Sequence, residues 1–257
     1  MLNSIKIIKN RSDIGAGTRG SDMGVDAIEI AAINKNNNYF DQFEHVDIST
    51  ENESIYNKVK NSFAKRIGNV LTQCTRLSNQ VKVTLQEDSF PIVLSGDHSS
   101  ALGTISGVKA AYSQETVGVI WVDAHADIHS PYTSPSGNIH GMPLAAALSE
   151  DNLDYQINTV SRETSDLWER MKNIGILGPK ISANDVVYFG VRDTEEPEEK
   201  QIDNLGIKNY TVSEIRYRGL EKCVDEAIGK LSNCDVIYIS FDVDSMDCDM
   251  ISYGTGT

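Results

Sequence analysis

Aspartate and histidine residues follow three of the apolar runs in this sequence, at the point where each run ends. They are His98 after the first run, Asp123, His125 and Asp127 after the second, and Asp242 and Asp244 after the third. Side chains two residues apart in an extended segment point to the same face. In open α/β sheets, ligands bind where the carboxyl ends of the strands meet. We therefore expect four carboxylates and two imidazoles to converge at one edge of a sheet.

A cluster of this kind is typical of a metal site, because four crowded carboxylates cannot all stay ionised without counter-cations. The ligand count suits two divalent ions that share one or two carboxylates, and oxygen-rich ligation favours Mn²⁺ over Zn²⁺. Two ions about 3.5–4 Å apart can share a water molecule, lower its pKa and direct it at an electrophile. One pair of aspartates at a strand end is usually a turn or a helix cap. Three clusters together favour metal-assisted hydrolysis.

Apolar runs alternate with segments of helical periodicity, which predicts an α/β fold with a mainly parallel sheet covered on both faces. Strands are expected at residues 4–8, 90–94, 117–122, 185–191 and 235–241. Helices are expected at residues 53–85, 100–112, 143–148, 195–205 and 220–231, with a glycine-rich loop leading into a short helix at 14–32. Because no Pro-, Gly- or Ser-rich linker interrupts the sequence, residues 1–257 are predicted to form one domain.

The composition excludes several classes of partner. The 257 residues include 23 Lys and Arg against 37 Asp and Glu, a net charge of −14. This acidity argues against binding to nucleic acids or anionic membranes. The sequence has neither the apolar core of a signal peptide nor a run long enough to span a membrane. The four cysteines lack metal-ligand spacing, so we expect free thiols in a cytoplasmic protein.

The motifs resemble those of the ureohydrolase superfamily of dinuclear manganese hydrolases, and within it those of the arginase family. The most specific matches are DAHAD at residues 123–127 and SFDVD at residues 240–244. Other matches cover nearly the whole chain, at residues 14–24, 96–99, 134–141, 191–198 and 253–257. The S-G-N-x-H-G segment at residues 136–141 favours arginases over agmatinase-like relatives.

The resemblance implies a three-layer α/β/α fold and a ligand set for two Mn²⁺ ions per chain. One ion would be held by His98, Asp123, Asp127 and Asp242. The other would be held by Asp123, His125, Asp242 and Asp244, so that Asp123 and Asp242 are shared. His140 matches the histidine that transfers protons, and Asp127 joins it in the catalytic set.

The resemblance also implies substrate contacts, from Ser136, Asn138, Glu195 and Thr255. His129 stands where arginases usually carry an asparagine that touches the substrate carboxylate. We expect His129 to contact the substrate or to support that contact, with an extra metal ligand or a spectator as alternatives. Trp121 is expected to serve packing, and the acidic run at residues 195–199, apart from Glu195, to be a solvated helix start.

The implied reaction is hydrolysis of the guanidinium group of L-arginine to L-ornithine and urea by a metal-bridging hydroxide, in a homo-oligomer. Two alternatives stay open. One is another ureohydrolase, acting on agmatine, formiminoglutamate or a guanidino acid. The other is a metal-binding relative without turnover. Arginases usually continue beyond the point where this chain stops, so the chain is expected to lack a C-terminal segment relative to the family.

Overall fold

The computed structural model describes residues 4–246, and every strand pairing in it is parallel. Its strands are β1 Ser4–Asn10, β2 Glu44–Asp47, β3 Ser89–Ser95, β4 Val117–Val122, β5 Val186–Phe189, β6 Lys208–Tyr210 and β7 Val236–Phe241. They form two hydrogen-bonded sheets, with the orders β2–β1–β3 and β6–β5–β4–β7. The predicted parallel α/β fold is confirmed, although the sheet comes in two parts.

Nine α-helices lie within the described residues, and those packed on β4 cover both of its faces. The nine are α1 Gly24–Asn34, α2 Tyr39–Gln42, α3 Ile67–Gln86, α4 Ser100–Ala111, α5 Pro143–Leu148, α6 Arg162–Lys172, α7 Glu196–Leu205, α8 Val212–Arg218 and α9 Leu220–Lys230. Val119 and Trp121 of β4 belong to the core that contains the buried faces of α3 to α6. Ile120 and Val122, on the opposite face of β4, pack against the core that includes Ala227 of α9. This alternation gives the three layers.

The long helix α3 begins fourteen residues later than its apolar spacing predicts, at Ile67 rather than at residue 53. A 3-10 turn, Asn52–Tyr56, stands in its place, and Arg66 precedes the helix with a left-handed φ of 55°. The nitrogen of Lys65 donates a hydrogen bond of 2.7 Å to the carbonyl oxygen of Gly137. The prediction of helix here was wrong because a distant segment fixes this loop.

The sequence did not predict two short strands and one polar helix. Strands β2 and β6 have four and three residues, too few for a periodicity to show. Helix α6 carries few apolar residues, and its start depends on one side chain. The Ser161 hydroxyl caps it by accepting a hydrogen bond of 3.1 Å from the nitrogen of Thr164.

The two sheets meet at their carboxyl ends. Strands β3 and β7 each lie at an edge of a sheet. Nε2 of His98, three residues beyond β3, lies 2.7 Å from the hydroxyl oxygen of Ser240, near the end of β7. This contact brings the polar residues that follow β3, β4 and β7 to one place, as the strand-end pattern predicts.

Helix α4, which follows His98, packs closely on α3 through glycine. A Cβ on Gly107 would lie 2.6 Å from the carbonyl oxygen of Ser78 and 2.7 Å from Cβ of Val81. We expect Gly107→Ala to lower the free energy of unfolding by about 1–3 kcal/mol, because the core must shift to fit the methyl group.

A matched control for that variant lies in α9. A Cβ on Gly229 would meet nothing within 4 Å, so Gly229→Ala should raise the free energy of unfolding by about 0.5–1 kcal/mol. Urea titrations followed by circular dichroism measure both. Equal midpoints for the two variants would contradict the close packing of α3 on α4.

Candidate metal centre

His98 faces three carboxylates with one ring nitrogen. Its Nδ1 lies 2.8 Å from Oδ2 of Asp123, 2.9 Å from Oδ2 of Asp127 and 3.2 Å from Oδ2 of Asp242. This Nδ1 is buried, yet none of these contacts has hydrogen-bond geometry. A buried ring nitrogen that points among three carboxylate oxygens without bonding to them is placed as a metal ligand would be.

A second group forms around His125. Its Nδ1 lies 2.9 Å from Oδ2 of Asp244 and 3.6 Å from Oδ1 of Asp123. The two oxygens of Asp123 therefore face different groups, Oδ2 towards His98 and Oδ1 towards His125. Within each group the ligand atoms lie within 4.8 Å of one another. Asp123 is the carboxylate common to both groups.

The backbone fixes the carboxylates in these positions. Oδ1 of Asp242 accepts a hydrogen bond of 3.1 Å from the nitrogen of Asp244, which leaves Oδ2 directed at His98. Oδ1 of Asp244 accepts a hydrogen bond of 3.1 Å from the nitrogen of Ala124. Asp127 has a φ of 50°, in the left-handed region that residues other than glycine rarely occupy. Unusual backbone of this kind is concentrated at functional sites.

The carboxylates give the centre a strong demand for positive charge. The carboxylates of Asp123 and Asp244, which face Nδ1 of His125, raise the pKa of His125 to about 11. Burial alone would lower the pKa of His98, but the three facing carboxylates raise it well above its usual value. Burial and the charge of Asp123 raise the pKa of Asp127 to about 6. A bound cation must displace protons from these imidazoles, so metal affinity should fall as the pH is lowered.

His140 lies beside this centre, in the 3-10 turn Ile139–Gly141. Its backbone nitrogen donates a hydrogen bond of 3.1 Å to the carbonyl oxygen of Gly15. Its charge lowers the pKa of Asp127, although burial leaves that pKa raised overall. The ring is thus near the carboxylates without belonging to either ligand group, as a proton-transfer residue should be.

The predicted substrate residues line a neighbouring loop. The Ser136 hydroxyl oxygen accepts a hydrogen bond of 3.1 Å from the nitrogen of Asn138. Oδ1 of Asn138 is buried and, among the described residues, has no hydrogen-bond partner. The glycine-rich loop packs directly against it, since a Cβ on Gly17 (φ 74°) would lie 2.7 Å from this oxygen. Thr255 and Cys248 lie outside the described residues.

His129 and Glu195, the other two predicted substrate residues, touch each other. Nε2 of His129 lies 2.9 Å from Oε2 of Glu195. Burial is the largest influence on the His129 ring, and it lowers its pKa. The structure groups the six predicted metal ligands and pairs His129 with Glu195, while direct contacts with a substrate stay a prediction.

Comparisons with known proteins agree with this geometry. The family model described as the Arginase family matches residues 3–257. The chain belongs to the arginase family. The arginase of Bacillus subtilis strain 168 is 36% identical over 249 residues, which are 96% of this chain and 77% of that protein. The arginase of Brevibacillus brevis is 37% identical over 250 residues, with the same shares of the two chains.

Solved structures lead to the same family. The native structure of the arginase from Bacillus caldovelox has a TM-score of 0.79 and 35% sequence identity, covering 96% of this chain and 77% of its own. The predicted family, the α/β fold and the class of enzyme, an arginase-type hydrolase, are thereby confirmed. Within residues 4–246, this arginase-family chain has no helix with both the length and the apolar character to cross a bilayer.

Three residues close to the candidate metal ligands or to Glu195 have roles that the sequence did not predict, and the first is Trp121. Trp121 was expected to serve packing alone, but its Nε1 donates a hydrogen bond of 2.9 Å to Oδ2 of Asp123. Its ring also stacks on His98, with centroids 4.2 Å apart and planes at 12°. Because Trp121 stands two residues before Asp123, on the same face of β4, strand alternation could have revealed it.

Glu198 was expected to be solvated, and this expectation was wrong, since the residue is 3% exposed. Its Oε2 accepts a hydrogen bond of 3.3 Å from the nitrogen of Glu195, as part of a capping box at the start of α7. The spacing of Glu195 and Glu198 with a proline between them was the available signal.

Ser240 sets the orientation of His98. Its hydroxyl lies 2.7 Å from Nε2 of His98 and accepts a hydrogen bond of 3.2 Å from the hydroxyl of Tyr238. With Nε2 engaged in this way, Nδ1 is the nitrogen directed at the carboxylates. A hydrogen bond to the far nitrogen typically fixes both the tautomer and the ring angle of a metal-binding histidine.

We expect Ser240→Ala to weaken metal binding about 10- to 100-fold, the usual effect of removing such a partner. Titration of metal-free protein with Mn²⁺, followed by calorimetry, measures the change. Ser245→Ala is a suitable control, because the Ser245 hydroxyl bonds to the carbonyl oxygen of Asp242 rather than to a ligand atom. An unchanged affinity in Ser240→Ala would remove Ser240 from the site.

Proposed function

We propose that this chain hydrolyses the guanidinium group of L-arginine to L-ornithine and urea with two Mn²⁺ ions. One observation carries the proposal. Two groups of metal-ligating side chains share Asp123, and they lie in a chain of the arginase family. The donor set of each group, one imidazole nitrogen with carboxylate oxygens, fits Mn²⁺ better than a thiolate-seeking ion. Assembly into a homo-oligomer and a cytoplasmic location stay predictions.

The metal ions, when bound, would activate a water molecule for attack on the guanidinium carbon. The ions would be held by six side chains, those of His98, Asp123, His125, Asp127, Asp242 and Asp244. This assignment rests on the distances from the two histidine Nδ1 atoms to the carboxylate oxygens. Asp127 would also accept a hydrogen bond from the attacking water, as the second member of the predicted catalytic set.

The protein must also protonate the leaving group. As water adds to the guanidinium carbon, the bond from that carbon to the side-chain nitrogen breaks, which releases urea and an amine. His140 would donate the proton to that amine, because histidine is the most common general acid in enzymes and this one lies beside the centre. The fixed position of its backbone, bonded to Gly15, would hold the ring in place for this transfer.

Recognition of the amino-acid end of arginine falls to the loops around the centre. The proposed residues are Ser136 and Asn138 for the carboxylate and ammonium groups, and Glu195 for the ammonium group. The amide nitrogen of Asn138 is the side-chain donor that could bind a carboxylate. Glu195 brings a carboxylate to the same region. Thr255 stays a proposal from the resemblance alone.

A urea-release assay tests the proposal. Purified protein is loaded with Mn²⁺ and given L-arginine, agmatine or formiminoglutamate in separate reactions, with release of urea or formamide measured. We expect urea from arginine, with agmatine and formiminoglutamate far poorer. Preferred turnover of another substrate would assign a different ureohydrolase. No product from any substrate, with two ions bound per chain, would overturn the enzymatic proposal altogether.

A further inference from the structure

A buried histidine next to the metal centre has both ring nitrogens occupied by protein atoms. His129 is 5% exposed. Its Nε2 lies 2.9 Å from Oε2 of Glu195 and 3.4 Å from Oε2 of Glu198. Because carboxylate oxygens are acceptors, Nε2 carries a hydrogen and donates it to Glu195. Its Nδ1 lies 3.1 Å from the hydroxyl oxygen of Thr133, so the ring is held at both ends.

The two glutamates in this group are placed differently. Glu198 is buried and uses both oxygens on the backbone, Oε1 on the nitrogen of Ile128 at 3.3 Å and Oε2 on the nitrogen of Glu195 at 3.3 Å. The Glu195 side chain is 56% exposed. Of these three side chains, Glu195 is therefore the one that an incoming molecule can reach.

The segment before Glu195 lies against the metal ligands. The nitrogens of Arg192 and Asp193 both donate hydrogen bonds to the carbonyl oxygen of Ala124, at 2.8 Å and 3.0 Å. Oδ2 of Asp193 lies 3.5 Å from Nε2 of His125. Glu195, two residues further along, stands at the rim of the metal centre, where the part of a substrate remote from the reacting carbon would lie.

We propose that His129 is a positioning residue, which holds the Glu195 carboxylate in the orientation that binds the α-ammonium group of the substrate. The inference rests on the proposed function, since arginine carries an ammonium group remote from its guanidinium carbon. A flexible exposed glutamate would lose side-chain entropy on binding a cation. A glutamate held in advance by a buried donor loses less, and its carboxylate keeps free lone pairs for the ammonium group.

His129→Leu tests the inference, because leucine fills the buried space and cannot donate a hydrogen bond. We expect KM for L-arginine to rise about tenfold, the size of one hydrogen bond to a charged group, while kcat changes less than about twofold. For δ-guanidinovalerate, which is arginine without its α-amino group, KM should stay unchanged. Glu195→Gln should give the same pattern, and the double variant should be no worse than either single one.

Three further variants separate positioning from folding. His129→Gln keeps a donor at a similar reach and should recover most of the affinity. Thr133→Val removes the hydroxyl at Nδ1 and should give a smaller rise in KM of the same kind, even if His129→Leu fails to fold. Glu196→Gln is the control, because it removes the neighbouring carboxylate, which pairs with Lys200 at 2.6 Å. It should leave KM unchanged for both L-arginine and δ-guanidinovalerate.

A binding measurement without turnover keeps this inference separate from the proposed reaction. Calorimetry of Mn²⁺-loaded protein should show that His129→Leu weakens the binding of L-ornithine about tenfold. The binding of δ-aminovalerate, which lacks the α-amino group, should be unchanged. If the unmodified protein binds ornithine normally but does not hydrolyse arginine, the proposed reaction fails while the inference stands.

Three results would overturn the positioning role. An equal loss of affinity for the substrates with and without the α-amino group would assign His129 a purely structural role. Unchanged binding of both would remove it from recognition. Because His129, Glu195 and Glu198 could also hold a cation, loss of one bound Mn²⁺ per chain in His129→Leu would make it a metal ligand instead.

Discussion

Replacing Asp123 with alanine is expected to remove both metal ions from the protein and to abolish turnover with them. The side chain is 1% exposed, and its two oxygens face different groups, Oδ2 towards His98 and Oδ1 towards His125. Removing it takes a ligand from both sites at once. It also leaves the two histidines facing fewer negative charges, which weakens the attraction of each site for a divalent cation.

Metal analysis of the purified variants by plasma mass spectrometry measures this effect. The structure offers a matched comparison in Asp244→Ala, which removes a ligand from the His125 group alone. We expect almost no Mn²⁺ per chain in Asp123→Ala and about one in Asp244→Ala. Thermal unfolding with and without Mn²⁺ gives a second readout, since an ion that binds only the folded state raises Tm.

The comparison between the two variants decides whether Asp123 is shared. A metal content near two ions per chain in Asp123→Ala would contradict the shared assignment. One ion in both variants would place Asp123 in a single group. The Mn²⁺ content of Asp123→Ala does not depend on enzymatic activity. The measurement therefore tests the metal centre even if the substrate is not arginine.

The second large effect concerns His140. His140→Ala should keep both metal ions and lose about 10²- to 10⁴-fold in kcat at neutral pH, the usual contribution of a general acid. Metal content should persist because His140 belongs to neither ligand group among the described residues. Its backbone bond to Gly15 also survives the substitution, so the loop beside the site should keep its shape.

Steady-state kinetics of urea release measure this loss, and His45→Ala serves as the control. His45 is exposed on β2, in the other sheet from the residues that follow β4 and β7, so its replacement should leave kcat unchanged. Turnover in His140→Ala equal to that of the unmodified protein would remove His140 from the mechanism. Loss of metal ions in that variant would instead make His140 part of the centre.

The residues of the candidate metal centre were predictable because their grouping depends largely on local geometry. The prediction relied on the alternation of side chains in an extended segment and on the parallel sheet, which brings strand ends together. The structure places Asp123, Asp127 and Asp242 around Nδ1 of His98, and Asp123 and Asp244 around Nδ1 of His125. Charge adds a constraint, because crowded aspartates require a cation.

Contacts between segments far apart in the chain were not predictable. The bond between His98 and Ser240 joins residues separated by 142 positions, and no local pattern links a serine inside a strand to a histidine beyond another. The late start of α3 has the same cause. Its apolar spacing continues upstream, but a backbone bond to Gly137 holds that segment out of the helix.

The sequence by itself determined the family, the parallel α/β fold and the six candidate metal ligands, because strand alternation, apolar runs and charge crowding act over a few residues. Only the tertiary structure decided which histidine nitrogen faces the carboxylates, that Trp121 holds Asp123, and that His129 is bound to Glu195. These features depend on the burial and hydrogen bonding of side chains from separate segments. Such contacts are fixed by how the elements pack against one another, and not by the spacing of residues within one element.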